Sequence, residues 1–158
     1  MPNSASDRGQ IKMVELIVSD RASIERGIVV KSAYVVISIH DPDKPRPRIP
    51  KSAGLRDVLY LAFHDAEPAT EFDLPSDIVL MTADHARQIW SFVQQHLRHV
   101  GTIVCQCEQG MSRSPAVAAA LADSMSREVT CARQEGQPNQ LVYQVTVASR
   151  PVPSPSGS

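Results

Sequence analysis

Several features that would indicate other classes of protein are absent from this 158-residue sequence. No run of about 18 apolar residues is present, so no segment is predicted to cross a membrane. The first ten residues are polar and lack the apolar centre of a signal peptide. The formal net charge is -1, without the basic excess that would indicate a nucleic-acid or anionic-membrane partner.

Cysteine is also scarce, with three residues in the chain. An odd number argues against a disulfide framework and favours a reducing compartment, so we expect a cytoplasmic protein in which a cysteine is free to react. The five histidines lack the spacing of metal ligands. Neither a metal nor a cofactor is therefore expected.

The pattern of apolar residues predicts one domain over 10–149, with disordered tails at 1–9 and in the Pro/Ser-rich segment 150–158. Strands and helices alternate, which favours an α/β domain with a central, mostly parallel sheet flanked by helices. Residues 41–50 and 65–81 are predicted loops, because each contains several prolines or turn residues. The predicted strands are 11–18, 34–39, 58–63 and 102–105, and the predicted helices are 20–27, 82–98, a third that starts at Ser114-Pro115, and 139–147.

The most informative segment, residues 103–115, reads Ile-Val-Cys-Gln-Cys-Glu-Gln-Gly-Met-Ser-Arg-Ser-Pro. Cys107 leaves a strand, a loop containing Gly110 follows, and Arg113 opens a helix. The backbone N–H groups of 108–113 and the helix dipole can converge on one point and bind a phosphate. Such a field also favours the thiolate, the nucleophilic form of cysteine. The predicted phosphate-binding residues are Cys107, Glu108, Gln109, Gly110, Met111, Ser112 and Arg113.

Cys107, five residues, Arg113 and Ser114 resemble the phosphate-binding loop of the protein tyrosine phosphatase superfamily. Gly110 and Ser114-Pro115 make the loop most similar to those of the small dual-specificity phosphatases. The resemblance implies a phosphatase-like fold and metal-free hydrolysis through a cysteinyl-phosphate intermediate. It further implies that the Ser114 hydroxyl stabilises the departing thiolate.

The resemblance also implies a general acid on an upstream loop, and Asp65 is the first candidate because it follows a predicted strand. Asp73 on the same loop is the second candidate. Asp84 belongs to the first turn of the next predicted helix, where the helix dipole alone explains an acidic residue.

Some residues depart from the family pattern or leave alternatives open. The family has histidine immediately before the nucleophile, where this chain has Gln106, so we expect a weaker stabilisation of the thiolate. Cys105 and Cys131 are interpreted as small core residues, with a protective disulfide to Cys107 as the alternative.

The predicted function is that of a protein phosphatase of tyrosine or dual specificity, which acts on a phosphorylated protein or a small phosphomonoester. The alternative is a catalytically weak or inactive pseudophosphatase that binds phosphopeptides. A third possibility is sulfur or redox chemistry, as in rhodaneses and arsenate reductases. Basic residues of the Pro-rich loop either are merely solvated or attract an acidic substrate; they are Lys44, Arg46, Arg48 and Lys51. The oligomeric state is not predicted.

Overall fold

The computed structural model describes residues 14–67, 75–125 and 137–151, and the backbone of 129–131. The strands are β1 (Val14–Ser19), β2 (Tyr34–His40), β3 (Leu55–Ala62), β4 (Thr102–Gln106) and β5 (Val129–Cys131). The helices are α1 (Arg21–Arg26), α2 (Ala83–His96), α3 (Arg113–Met125) and α4 (Gln140–Ala148). Among these described helices, none combines the length and the apolar character needed to cross a bilayer.

The described strands form one sheet in the order β3-β2-β4-β1-β5, and every neighbouring pair is parallel. The prediction of an α/β domain with a parallel sheet flanked by helices is confirmed at this level. Strand β5 was not predicted, because three residues give no recognisable apolar period. In parallel sheets the carboxyl ends of all strands meet at one edge, where ligands usually bind. Residues that follow β1, β2, β3 and β4 therefore lie at the same edge.

The two faces of the sheet carry cores of different size, since successive side chains of a strand point to opposite faces. On one face, Val35, Ile37 and Ile39 of β2 belong to the larger core, which includes buried residues of α2, α3 and α4. On the other face, Val36 and Ile24 belong to a smaller cluster with Tyr34 and Val104. The short helix α1 packs on this second face through Ile24, its buried residue.

Helix α2 confirms its predicted start and has one buried apolar face. The Thr82 side chain accepts a hydrogen bond from the backbone of His85, and the His85 ring accepts one from Thr82 N at 2.9 Å. Apolar residues that recur at helical spacing on this face are buried: Ala86, Ile89, Trp90 and Val93. Trp90 also donates from Nε1 to the carbonyl oxygen of Thr146 at 2.8 Å, which joins α2 to α4. Trp90 is therefore a core residue.

Arg113 opens α3, as predicted, whereas the Ser114-Pro115 signal, which makes Ser114 the cap and Pro115 the first helical residue, placed the start two residues too late. The helix begins at Arg113, and Ala116 N donates to the Ser112 carbonyl oxygen at 3.2 Å, so Ser114 lies inside the first turn. Pro115 is tolerated there because the first turn leaves its N–H groups without intrahelical partners. The Ser114 side chain is consequently available for a contact other than capping.

Candidate active site

The loop between β4 and α3 is fastened to the connection between β1 and α1. Cys107 N donates to the Ser19 carbonyl oxygen at 3.2 Å, and Arg21 N donates to the Glu108 carbonyl oxygen at 3.1 Å. The Arg21 guanidinium also pairs with the Glu108 carboxylate at 3.2 Å. These bonds hold residues 107 and 108 directly beyond the end of the sheet, at the edge where parallel strands finish.

The sulfur of Cys107 is surrounded by hydrogen-bond donors. Gly110 N lies 3.2 Å and Ser114 N 3.4 Å from Sγ, and the Ser114 hydroxyl oxygen lies 3.1 Å from it. Cys107 is 2% exposed. The sulfur thus faces one amide of the loop, one amide of the first turn of α3 and a hydroxyl, which are groups that can bind an anion.

Gly110 has the backbone conformation that the loop requires. Its φ of 69° lies in the left-handed region, which residues with a Cβ rarely adopt. A Cβ on Gly110 would lie 3.2 Å from the backbone atoms of Ser19 and Asp20. Glycine thus allows both the turn and the close approach of the loop to the β1–α1 connection.

Arg113 is buried, and one nitrogen atom of its guanidinium is held by two acceptors. Nη1 donates to Oδ1 of Asp41 at 2.8 Å and to the Phe63 carbonyl oxygen at 2.7 Å. Nε is buried and has no hydrogen-bond partner among the described residues. An anion bound beside Arg113 could accept from this second edge of the guanidinium, which suits two oxygens of a phosphate.

The sequence did not indicate that Asp41 belongs to the site. Burial raises the pKa of the Asp41 carboxyl, but the charge and hydrogen bond of Arg113, together with Lys44, outweigh burial and lower the pKa overall. Lys44 Nζ lies 3.5 Å from the other Asp41 oxygen. Arg113 therefore faces an ionised partner at neutral pH. Asp41 follows β2, so its place in the site could have been predicted only by knowing that β2 and β4 are neighbours in the sheet.

Asp65, the first candidate for the general acid, lies in the same cleft as Cys107 and Arg113. Its Oδ1 accepts hydrogen bonds from Ser112 Oγ and from Asn139 Nδ2, each at 2.8 Å. The structure thus brings Cys107, Arg113 and Asp65 into one cleft. Asp73, the second candidate, lies outside the described residues. Asp84 is exposed in the first turn of α2 and pairs with Arg87, as expected of a residue explained by the helix dipole.

The cleft around these groups has a volume of about 300 Å³. Its floor and walls come from the loop after β4 and from residues after β2 and β3. Of the four basic residues in the Pro-rich loop, Lys44 lines the cleft, whereas Arg46 lies 4.5 Å from the centre of the Tyr60 ring. His64 also lines the cleft; its Nδ1 accepts from Val79 N at 2.9 Å.

Gln106, which departs from the family pattern, is fully buried and hydrogen-bonded at both ends of its amide. Oε1 accepts from Ser38 Oγ at 2.5 Å, and Nε2 donates to the Cys107 carbonyl oxygen at 3.0 Å. Gln106 can therefore hold the loop in place without a charge. Cys105 is buried in the larger core, as predicted. The side chain of Cys131, and with it the alternative disulfide, lies outside the described residues.

No protein-family model, curated protein or solved structure matches this chain. The chemistry of the site therefore follows from its own residues. Within the described part of the chain, no cluster of His, Cys, Asp or Glu could hold a metal ion. What the cleft combines is a buried sulfur surrounded by donors, a guanidinium with an unused edge, and a carboxyl group.

Proposed function

We propose that this protein is a phosphatase of tyrosine or dual specificity, which hydrolyses phosphomonoesters through a cysteinyl-phosphate intermediate. The observation that carries the proposal is the surroundings of Cys107. Its sulfur lies within 3.4 Å of two backbone N–H groups and of the Ser114 hydroxyl. In the same cleft are a buried guanidinium and a carboxyl group. This set contains the nucleophile, the anion-binding groups and the acid that such a reaction needs.

The loop supplies the binding of the phosphate group. Backbone N–H groups of 108–113 donate to its equatorial oxygens, and the second edge of the Arg113 guanidinium, which carries Nε, donates to two of them. Asp41 and the Phe63 carbonyl oxygen hold the other edge, so the guanidinium does not have to be ordered when the substrate arrives.

In the first step the Cys107 thiolate attacks phosphorus in line with the ester oxygen. The S–P bond forms, the P–O ester bond breaks, and the electron pair of that bond goes to the leaving oxygen. Asp65 gives this oxygen its proton, so the product leaves as a neutral alcohol or phenol. The loop donors stabilise the charge that shifts onto the equatorial oxygens.

In the second step water attacks the cysteinyl phosphate. The ionised Asp65 accepts a proton from the water, a new P–O bond forms, and the S–P bond breaks. Its electron pair returns to sulfur, where the Ser114 hydroxyl at 3.1 Å stabilises the thiolate. Inorganic phosphate leaves, and Asp65 is again protonated for the next cycle.

The proposed substrates are a phosphorylated protein or a small phosphomonoester. The side chains of Glu108, Gln109 and Met111 add no positive charge to the loop, which disfavours highly anionic substrates such as phosphoinositides. A reducing compartment such as the cytoplasm would suit a reaction that depends on a thiolate.

Hydrolysis of p-nitrophenyl phosphate tests the proposal with wild type, Cys107→Ser and a control, Cys105→Ala. The control removes a second buried thiol, which lies on β4 and outside the loop. We expect Cys107→Ser to lose at least about 1,000-fold in kcat, because the covalent step is removed, and Cys105→Ala to stay active. Equal activity in wild type and Cys107→Ser would refute the proposal.

The alternative, a phosphate-binding module without turnover, is favoured by one observation. The Gln106 side chain, next to the nucleophile, is neutral. The backbone amides and the helix dipole must therefore stabilise the thiolate without the help of a positive charge at residue 106. Calorimetric titration with vanadate and with inorganic phosphate distinguishes the two functions. Binding that is lost in Arg113→Ala, without Cys107-dependent hydrolysis in wild type, would favour the binding module. Turnover of thiosulfate would instead favour sulfur transfer.

A further inference from the structure

Asn139 connects three parts of the molecule through one buried side chain, which is 1% exposed. Its Oδ1 accepts from Val142 N at 3.0 Å and caps α4. Its backbone N–H donates to the Ser112 carbonyl oxygen at 3.0 Å. Its Nδ2 donates to Asp65 Oδ1 at 2.8 Å and to the Ala66 carbonyl oxygen at 3.2 Å. The last helix is thereby joined both to the loop after β4 and to the segment after β3.

Capping does not explain the amide nitrogen of Asn139. Serine, threonine and aspartate cap a helix about as well as asparagine, because the cap uses only a side-chain oxygen. Asparagine adds two N–H donors to that oxygen. Both donors are used here, and both contact the segment that carries the proposed general acid. The side chain thus does more than start a helix.

The consequence for Asp65 concerns its two oxygens. Oδ1 accepts two hydrogen bonds, from Asn139 and from Ser112, whereas Oδ2 has no hydrogen-bond partner among the described residues. A protonated carboxyl group can donate only from an oxygen that carries the proton. Because the lone pairs of Oδ1 are engaged, the proton is directed to Oδ2.

We propose that Asn139 is a positioning residue for the general acid, which fixes the carboxyl plane of Asp65 and keeps its proton on Oδ2. The proposal rests on the proposed phosphatase function. Acid catalysis depends on correct geometry, and a positioned acid contributes roughly 10²- to 10⁴-fold to the rate. Asn139 acts through Asp65 and does not itself touch the substrate.

Asn139→Ser tests this role, since serine keeps a capping oxygen but has no amide donor. The substrates are two aryl phosphates, 2,4-dinitrophenyl phosphate with a good leaving group and phenyl phosphate with a poor one. A good leaving group needs little protonation, whereas a poor one depends on the acid. We expect kcat/KM, which reports the first step alone, to fall roughly 10- to 100-fold for phenyl phosphate, within the contribution of a positioned acid, and to change less than about threefold for the dinitrophenyl ester.

Two further variants separate positioning from loss of structure. Asp65→Asn should show the same selectivity, and the double variant should lose little more than Asp65→Asn alone, because both changes remove one function. Asn139→Asp retains the strongest type of cap but replaces the donors with a carboxylate. It should lose phenyl phosphate activity as Asn139→Ser does, and the basic limb of its pH–rate profile should move to higher pH. If Asn139→Ser does not fold cooperatively, Asn139→Asp carries the test.

The outcomes are distinguishable. Equal losses of kcat/KM on both substrates, or no loss of kcat/KM on phenyl phosphate, overturn the positioning role, while Cys107-dependent turnover leaves the phosphatase assignment standing. Absence of Cys107-dependent turnover of either ester by wild type overturns both. A selective loss on phenyl phosphate that is absent in the Asp65→Asn background supports the role.

Discussion

The guanidinium of Arg113 donates to the carboxylate of Asp41 over 2.8 Å, across the boundary between β4 and β2. Asp41 is 21% exposed at its side chain, and Arg113 is 5% exposed. The pair therefore lies at the wall of the cleft, with its cation buried and its anion close to solvent. Among the described residues, a buried cation without this anion would keep only the Phe63 carbonyl oxygen as an acceptor.

Asp41→Ala should consequently destabilise the fold. A hydrogen bond to a charged group is worth about 1.5–3 kcal/mol, so we expect the free energy of unfolding in urea to fall by about 2 kcal/mol. Asp43→Ala is the matched control. The Asp43 carboxylate is 75% exposed, and within the described residues its removal costs a contact of 3.4 Å with His64. An exposed ion pair contributes about 0–1 kcal/mol. Equal effects of the two substitutions would contradict a role for Asp41 in holding Arg113.

The same pair predicts a dependence of stability on acid pH. The pKa of Asp41 is lowered below its ordinary value of 3.8, because Arg113 outweighs the effect of burial. The ionised carboxyl therefore contributes its full stabilisation above the unfolded-state value, and this is lost as the pH falls through the lower folded-state value. We expect urea unfolding curves of wild type to lose stability below about pH 4 more steeply than those of Asp41→Asn. Parallel curves would show that Asp41 does not titrate in this way.

Local sequence patterns predicted most of the fold. The capping residues Asp20, Thr82 and Asn139 mark the starts of three helices, and each side chain accepts a hydrogen bond from the first turn that follows. The β-branched run of β2 is buried throughout. These features depend on neighbours in the chain, so the sequence carries them. The order of the strands does not follow from the sequence, because β1 lies between β4 and β5 through non-local pairing.

The site was predictable where one segment carries it. Residues 107–114 form their loop from their own backbone, so Cys107 and Arg113 were identified from spacing. Asp41 and Asn139 were missed as site residues, since 72 and 74 positions separate their partners from them in the hydrogen bonds to Arg113 and Asp65. Only the arrangement of the strands and of α4 brings them together. The Ser114-Pro115 signal placed the start of α3 too late because Ser114 contacts Cys107 instead of capping.

Gly110→Ala should damage both stability and anion binding. The positive φ costs a residue with a Cβ about 1–2 kcal/mol, and the added atom would lie 3.2 Å from the backbone of Ser19 and Asp20. We expect the free energy of unfolding to fall by about 1–3 kcal/mol and vanadate to bind more weakly. Gln109→Ala, at an exposed position of the same loop, serves as the control for stability in urea titrations. Unchanged stability and vanadate affinity in Gly110→Ala would contradict the structure of the loop.

Ser114→Ala should slow the second step of the proposed reaction more than the first. Its hydroxyl lies 3.1 Å from Cys107 Sγ and stabilises the thiolate that leaves when water attacks. Removal of one such donor costs a rate roughly 10- to 1,000-fold. In stopped-flow measurements with p-nitrophenyl phosphate, we expect a burst of one equivalent of nitrophenol followed by slow turnover. Ser124→Ala, at the far end of α3, is the control and should turn over as wild type does. Loss of both the burst and the turnover would assign Ser114 to binding or folding.

His85→Gln should flatten the dependence of stability on pH between neutral and mildly acid conditions. Burial lowers the pKa of the His85 ring, and the opposing charge of Asp84 is too weak to restore it. The unfolded chain therefore takes up the proton first, so stability is full above the unfolded-state value of 6.5 and falls as the pH drops below it. Protonation of Nδ1 also removes the acceptor that Thr82 N uses at 2.9 Å.

Glutamine is a standard partner at this position of a capping box and does not titrate. We expect a smaller loss of thermal stability from pH 7.5 to about pH 5.5 in His85→Gln than in wild type. Part of the slope should remain, since burial and Arg46 lower the pKa of His40 in the same direction. Identical slopes for the two proteins would show that the ring of residue 85 does not gain a proton on unfolding.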